Sequence, residues 1–143
     1  AATAQSAPAT DPTNTQRNTA TRARPKVLCL VSADPFLAVG HDNYLHELLT
    51  AEGFENALDR EGWIEVAPEA IVALNIDAVL AIAESARGAE RMRAAISQLP
   101  WTGASPVSAV VEAPQLLAPS LMALADRARL RASYERAIAE SKR

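Results

Sequence analysis

Three short apolar runs constrain the fold of this chain more than any other feature. They are KVLCLVSA at residues 26–33, DAVLAIA at residues 77–83 and SPVSAVVE at residues 105–112. Each run has the length of a strand, and the first two are continuously apolar, without the strict alternation of polar and apolar residues that marks a half-exposed strand. Continuous apolar strands are typical of parallel sheets that are covered on both faces. The three runs therefore predict three strands of one such sheet, with the first two of the buried type.

Two helices are expected between the first and the second run. The segment HDNYLHELLTAEGF carries an apolar stripe at helical spacing, with Asp42 as the expected N-cap and Gly53 as the expected C-terminal stop. A turn containing Trp63 follows, and Pro68 opens a short helix that reaches about residue 74. Aromatic residues form 4% of the chain and Trp occurs twice, so a Trp in a turn requires a specific reason.

Two more helices complete the pattern, one at residues 88–99 and a long one opened by Pro119 or Ser120, with a charged far end. The order strand, helix, helix, strand, helix, strand, helix predicts an α/β fold of three layers, a small and mostly parallel sheet flanked by helices. We assign residues 25–140 to this domain. Residues 1–24 are rich in Ala, Thr, Pro, Asn and Gln without periodicity, so we expect a disordered tail or linker there.

The composition excludes two classes of partner. The chain of 143 residues has 14 Lys and Arg against 17 Asp and Glu, whereas a nucleic-acid-binding protein normally has a basic excess on one face. No apolar run approaches the ~20 residues that a membrane-spanning helix needs. The single cysteine, Cys29, excludes an internal disulfide and is expected to be buried in the first strand.

The sequence lacks motifs for catalysis, metal binding and phosphate binding. Its 5 glycines form no phosphate-binding loop, and no serine lies in a nucleophile-elbow motif. His41 and His46 are about 140° apart on a helix at ~100° per residue, so we do not expect them to share a face. We predict no catalytic residue, no metal site and no intrinsic cofactor. A small α/β enzyme is the alternative from another class, with candidate residues Ser32, Asp34, His41 and Asp42 at strand ends.

The order of the pieces resembles a known family. RPKVLCLVSADPFLAVGHDNYLHELLTAEGFENAL, followed by GWIEVAPEAIVALNIDAVLAIAES, is similar to the carboxyl-terminal lobe of periplasmic substrate-binding proteins of the helical-backbone class. These proteins serve ABC importers of vitamin B12, haem and ferric siderophores. The match is good over residues 24–83, although Ile76 stands where the family has Pro before Asp77. The matching motifs lie at residues 24–27, 40–48, 53–56 and 67–79.

The resemblance implies roles for five residues. Trp63 corresponds to a Trp that lines the ligand cleft, and Glu69 to the carboxylate that meets arginines of the permease. His41, Asp42 and Asn43 correspond to the entry of a helix that faces the cleft, where His41 is a candidate axial ligand of haem iron or cobalt. Structural alternatives stand beside these roles. Trp63 equally fits a cover over the core, Glu69 a partner of the helix dipole, and His41 a solvated side chain.

The resemblance also implies a partner and a location. The expected ligand is cobalamin, haem or a ferric siderophore, the protein partner is an ABC-transporter permease, and the location is periplasmic or extracytoplasmic. Ligand binding then involves an amino-terminal lobe that this sequence does not contain, so we expect a fragment or a processed product. The alternative is a degenerate interaction domain that keeps the fold without the ligand and forms a homodimer through its exposed face. A ligand-binding lobe predicts an exposed Trp63, whereas the degenerate domain predicts a buried one.

Overall fold

The computed structural model describes residues 24–117 and 126–142. The expected tail, apart from Arg24, lies outside these residues, and so does the predicted start of the last helix at Pro119 or Ser120. The described residues form an α/β sandwich around a mixed sheet that is not closed on itself, as the sequence predicts.

The sheet contains six strands within the described residues. They are β1 (Lys26–Ala33), β2 (Phe36–Val39), β3 (Glu55–Asn56), β4 (Trp63–Glu65), β5 (Ala78–Ala83) and β6 (Val107–Glu112). Their order is β4-β2-β1-β5-β6, with β3 pairing β1 beyond the end of β2. Strands β3 and β5 run parallel to β1, and β6 runs parallel to β5. Strands β2 and β4 are antiparallel additions at one edge.

Helices cover both faces of the sheet. They are α1 (Tyr44–Ala51), α2 (Pro68–Ala73), α3 (Ala86–Ser97), a 3₁₀ helix (Pro114–Leu117) and α4 (Ala128–Ser141). Two core clusters lie on the two sides of the sheet: α1, the 3₁₀ helix and α4 contribute to the first, and α2 and α3 to the second. Successive residues of β1 alternate between them, with Val27 and Cys29 in the first cluster and Leu28 and Leu30 in the second. This alternation confirms the predicted three layers and the predicted burial of Cys29.

The predicted helix boundaries are close to those observed, but the predicted N-cap of α1 is wrong. Asn43 caps this helix, because its side-chain oxygen accepts a hydrogen bond of 3.0 Å from the backbone N–H of His46. Asp42 has a positive φ of 65°, so it lies in the turn that leads to the cap. Gly53, with φ of 89°, follows the end of the helix as predicted.

The predicted turn around Trp63 is also wrong. The turn is made by Gly62, whose φ of 83° favours glycine, and Trp63 begins the short edge strand β4. Periodicity could not reveal a strand of three residues, and it likewise missed β2, which follows the Asp34–Pro35 turn.

Asp77 joins the two central parallel strands at their amino ends. Its carboxylate accepts a hydrogen bond of 2.7 Å from the backbone N–H of Lys26, and its own N–H donates 2.8 Å to the carbonyl of Lys26. Asp77 is buried, so this carboxylate is a structural element of the fold.

Candidate functional site

The turn from β2 into α1 lies directly against the loop that precedes β4. The backbone N–H of Gly40 donates 2.8 Å to the carbonyl of Gly62, and that of His41 donates 2.6 Å to the carbonyl of Arg60. A Cβ atom added to Gly40 would lie 2.6 Å from the carbonyl oxygen of Gly62, and closer still to that of Arg60. The two segments therefore approach each other only because residue 40 has no side chain.

Trp63 lies at the start of β4, where its backbone pairs with Val39 of β2. Its side chain is 45% exposed, and it is the only large hydrophobic side chain with such exposure among residues 24–117 and 126–142. The indole ring contacts the ring of Tyr44 in an edge-to-face arrangement, with 6.5 Å between centroids and 63° between planes. The structure thus presents Trp63 as an open aromatic surface beside the first turn of α1.

Tyr44 connects this surface to the chain that leaves the carboxyl end of β6. Its hydroxyl donates a hydrogen bond of 3.0 Å to the carbonyl of Leu116 in the 3₁₀ helix. Burial raises the pKa of the Tyr44 hydroxyl above its ordinary value of 10.0, and Cys29 contributes a second, smaller rise. The hydroxyl therefore stays protonated and keeps its role as a donor at neutral pH.

The two histidines form a second group of side chains. The rings of His41 and His46 stack with 4.3 Å between centroids and 26° between planes. The prediction that they do not share a face is wrong, because His41 precedes the helix and the 100° rotation per residue does not apply to it. The Nε2 atom of His41 is 3.9 Å from a carboxylate oxygen of Asp59. Both histidines line a pocket of about 330 Å³, together with Arg24 and Asp59.

The buried amide of Asn56 ties β2 to the loop that follows β3. Its Nδ2 atom donates 3.0 Å to the carbonyl of Val39 and 3.2 Å to that of Gly40, and lies 3.3 Å from Nδ1 of His46. Its Oδ1 atom accepts from the N–H of Leu58, which fixes the orientation of the amide. The two N–H groups of the amide are thus used by the two carbonyls of β2 and the turn after it, beside the ring of His46.

Within the part of the chain that the structure describes, no three side chains among His, Cys, Asp and Glu are grouped to hold a metal.

The sequence-predicted site residues fall into separate places. Trp63 lies against the ring of Tyr44, and His41 stacks on His46. Asn43 uses its side chain to cap α1 and to donate a hydrogen bond of 3.2 Å to the carbonyl of Gly40. Asp42 is exposed in the turn between them, and Glu69 is exposed in the first turn of α2. The structure therefore groups Trp63 with Tyr44, and His41 with His46.

The four residues considered for an enzyme do not form one cluster. Ser32 and Asp34 line a pocket of about 220 Å³ at the carboxyl end of β1, whereas His41 lines the other pocket. The hydroxyl of Ser32 lies 3.1 Å from the carbonyl of Pro35, to which it donates. No shared arrangement of nucleophile and base results from these positions.

Sequence reasoning missed Tyr44, His46 and Asn56. Tyr44 was assigned to the apolar stripe of α1, and its hydroxyl bond spans 72 residues of sequence, which no local pattern can reveal. Asn56 lies in the motif at residues 53–56, but only the fold brings it to β2. The sequence did carry one signal for Asn56, because it is a polar residue directly after Gly-Phe-Glu, where the predicted helix ends.

The α/β fold of the described residues is similar to part of three periplasmic haem-binding proteins. BhuT, in a complex with two haems, matches with a TM-score of 0.63 and 21% identity, over 85% of this chain and 48% of BhuT. A haem-binding protein from Pseudomonas aeruginosa matches with a TM-score of 0.57 and 24% identity, over 81% of this chain and 45% of that protein. RhuT from Roseiflexus sp. RS-1, in its apo form, matches with a TM-score of 0.57 and 19% identity, over 80% of this chain and 47% of RhuT.

These similarities confirm the predicted fold, but they extend over only part of each similar protein. This chain spans about half the length of each of the three haem-binding proteins. No family model matches the sequence, and no curated protein matches it. In the described residues, no helix has both the length and the apolar character to cross a membrane.

Proposed function

We propose that this chain is the ligand-binding lobe of an extracytoplasmic substrate-binding protein that delivers a haem-type metal chelate to an ABC importer. The observation that carries the proposal is the exposure of Trp63, 45% of whose side chain meets solvent, in a fold shared with haem-binding proteins. A flat, conjugated macrocycle has the shape and the apolar faces that an open indole ring binds well.

The exposure of Trp63 argues against the alternative of a degenerate lobe. That alternative predicts a buried Trp63, because a domain without a ligand gains stability by covering its largest apolar side chains. Trp63 belongs to neither core cluster. Its exposure therefore favours contact with a ligand over a role in the core.

A single lobe supplies one side of a cleft. We propose that a second, amino-terminal lobe outside this sequence supplies the other side, because the haem-binding proteins of similar fold are about twice as long. Half of the contact area also means a weaker complex, since binding must first offset the loss of translational and rotational freedom. We expect micromolar rather than nanomolar affinity for haemin from this lobe alone.

Glu69 is the proposed contact with the permease. It lies exposed in the first turn of α2, and no hydrogen-bond or ion-pair partner holds its carboxylate within the described residues. A free carboxylate on a rigid helix start is suited to an arginine, which binds it through two parallel hydrogen bonds.

The test is a titration with haemin, followed by the Soret absorbance so that the readout does not depend on Trp fluorescence. The variants are Trp63→Ala and, as the matched control, Trp101→Phe, because Trp101 packs partly buried against the second core cluster. We expect saturable binding by the wild type and the control, and affinity at least about tenfold weaker in Trp63→Ala, a loss of about 1.4 kcal/mol.

Equal affinities of Trp63→Ala and the wild type would overturn the assignment of the ligand surface. Cyanocobalamin and a ferric siderophore serve as competing ligands in the same titration. Tighter saturable binding of either one would change the identity of the chelate and retain the transport role. No saturable binding of any of the three, with a dimer by size-exclusion chromatography, would favour the interaction domain.

A further inference from the structure

One aromatic ring contacts the indole of Trp63 within the described residues. The backbone of Trp63 belongs to an edge strand of three residues that pairs with β2 alone. Its ring nitrogen has no hydrogen-bond partner among residues 24–117 and 126–142, and the described part of the chain offers the indole a single ring contact, with Tyr44. Tyr44 is therefore the aromatic neighbour that can set the orientation of the indole.

That neighbour is held from three directions. Tyr44 is the first residue of α1, directly after the cap made by Asn43. Its ring packs against the first core cluster, and its hydroxyl is bonded to the carbonyl of Leu116, itself a fully buried residue. A side chain fixed at its backbone, its ring and its polar end has little freedom to rotate.

We infer that Tyr44 is a positioning residue, which sets the orientation of Trp63 toward the ligand. The edge-to-face geometry explains how it does so, since the positive edge of one aromatic ring attracts the negative face of the other and favours one relative orientation. The role in ligand binding rests on the proposed function, whereas the orientation of the indole does not require a ligand.

The same geometry argues against a role of Tyr44 as a metal ligand. Its hydroxyl proton is committed to the carbonyl of Leu116 at 3.0 Å, and a phenolate that binds iron would have to give up this bond. The bond also ties α1 to the 3₁₀ helix after β6, so the hydroxyl links two segments next to the aromatic surface.

The experiment uses the full chain with Trp101→Phe, which leaves Trp63 as the sole tryptophan, since the chain has 2. Into this background we introduce Tyr44→Phe, which removes the hydroxyl, and Tyr44→Leu, which removes the ring. Tyr134→Phe is the control, because Tyr134 is a buried tyrosine that packs on Phe54 and has no ring contact with Trp63. The readouts are the time-resolved anisotropy of Trp63 without ligand and the affinity for haemin.

We expect the residual anisotropy of Trp63 to fall in Tyr44→Leu, to fall less in Tyr44→Phe and to stay unchanged in Tyr134→Phe. The affinity for haemin should weaken about twofold to tenfold in Tyr44→Leu, the range set by the energy of one edge-to-face pair. A purely structural role would change the midpoint of unfolding and leave the anisotropy of the folded protein unchanged.

Unchanged anisotropy in a folded Tyr44→Leu variant would overturn the inference. If Tyr44→Leu does not fold, Tyr44→Phe becomes the deciding variant. An anisotropy of Trp63 in Tyr44→Phe equal to that in Tyr134→Phe would then overturn the inference. A failure of the proposed function looks different, because the wild type would then bind no haemin while the anisotropies still rank as expected.

Discussion

At the scale of single residues, burial changes the chemistry of Cys29. It is fully buried in β1 within the first core cluster, and burial raises its pKa from 9.0 to about 12. The thiolate is the reactive form of cysteine, so a thiol that stays protonated is inert. The role of Cys29 is therefore to fill space in the core.

This burial predicts how stability depends on alkaline pH. The unfolded chain loses the Cys29 proton near pH 9.0, whereas the folded chain keeps it up to about pH 12. The folded state then binds more protons than the unfolded state, so the free energy of unfolding falls as the pH rises through this window. Urea unfolding of the wild type and Cys29→Ala at pH 8, 10 and 11 checks this.

We expect the stability of the wild type to decline relative to Cys29→Ala above pH 9.0, since the variant has no thiol to titrate. Tyr44, whose pKa is also raised, is present in both proteins, so the larger part of its contribution, which comes from burial, cancels in the difference, whereas the smaller part that comes from Cys29 is lost in the variant. Parallel declines of the two proteins would contradict the assignment to Cys29.

Among the elements, the pairing of β1 with β5 depends on a side chain as well as on the backbone ladder. Asp77 precedes β5, and its buried carboxylate holds the N–H of Lys26 at the start of β1. A buried backbone N–H that loses its acceptor retains the full cost of its desolvation. The two central strands are therefore sensitive to this one residue.

We predict that Asp77→Ala lowers the free energy of unfolding by about 1.5–3 kcal/mol, the range for a hydrogen bond to a charged group. Urea unfolding followed by circular dichroism measures the change, with Glu90→Ala as the control, since Glu90 is an exposed residue of α3. Equal losses in the two variants would mean that the carboxylate of Asp77 does not stabilise the pairing.

The sequence predicted those strands and helices that show a recognisable pattern within their own residues. The strands β1 and β5 have continuous apolar runs, β6 has a shorter one, and α2 has Pro68 at its first position. The edge strand β4 has no such signal, because it exists through the close approach of Gly40 to Gly62. Contacts between residues far apart in sequence are set by the fold and are absent from any window of residues.

For the candidate site, too, local patterns were informative and distant contacts were not. Trp63 was a candidate because its surrounding motif is local, and the N-cap of α1 was predicted at Asp42, one residue before Asn43, which makes it. The bond from Tyr44 to Leu116 and the stacking of His41 on His46 are set by the tertiary structure. Residue types and spacing therefore indicate candidate residues, while the contacts of those residues depend on tertiary packing.

At the scale of the whole molecule, the described residues carry two separate surfaces. The aromatic surface lies at Trp63 on β4, and the proposed docking carboxylate, Glu69, lies in the first turn of the next helix. Five residues, 64–68, separate them along the chain. The proposed ligand contact and the proposed permease contact can then be removed independently.

We predict that Glu69→Gln leaves the affinity for haemin unchanged and lowers the ATPase stimulation of the cognate permease in liposomes at least about tenfold, because the arginine loses its ionic partner. The stability should change by no more than the ~0.3–1 kcal/mol of a helix-dipole interaction. Glu90→Gln is the matched control, an exposed glutamate on α3. Full stimulation by Glu69→Gln would assign docking to another residue.

The position of Trp63 on an edge strand has an evolutionary consequence. Its side chain lies outside both core clusters and its strand pairs on one side only, so replacing it removes little that the fold depends on. A lineage can therefore change the residue at this position while it inherits the scaffold intact. Under the proposed function, preference for a new ligand is then open to selection in single steps, without a passage through unfolded intermediates.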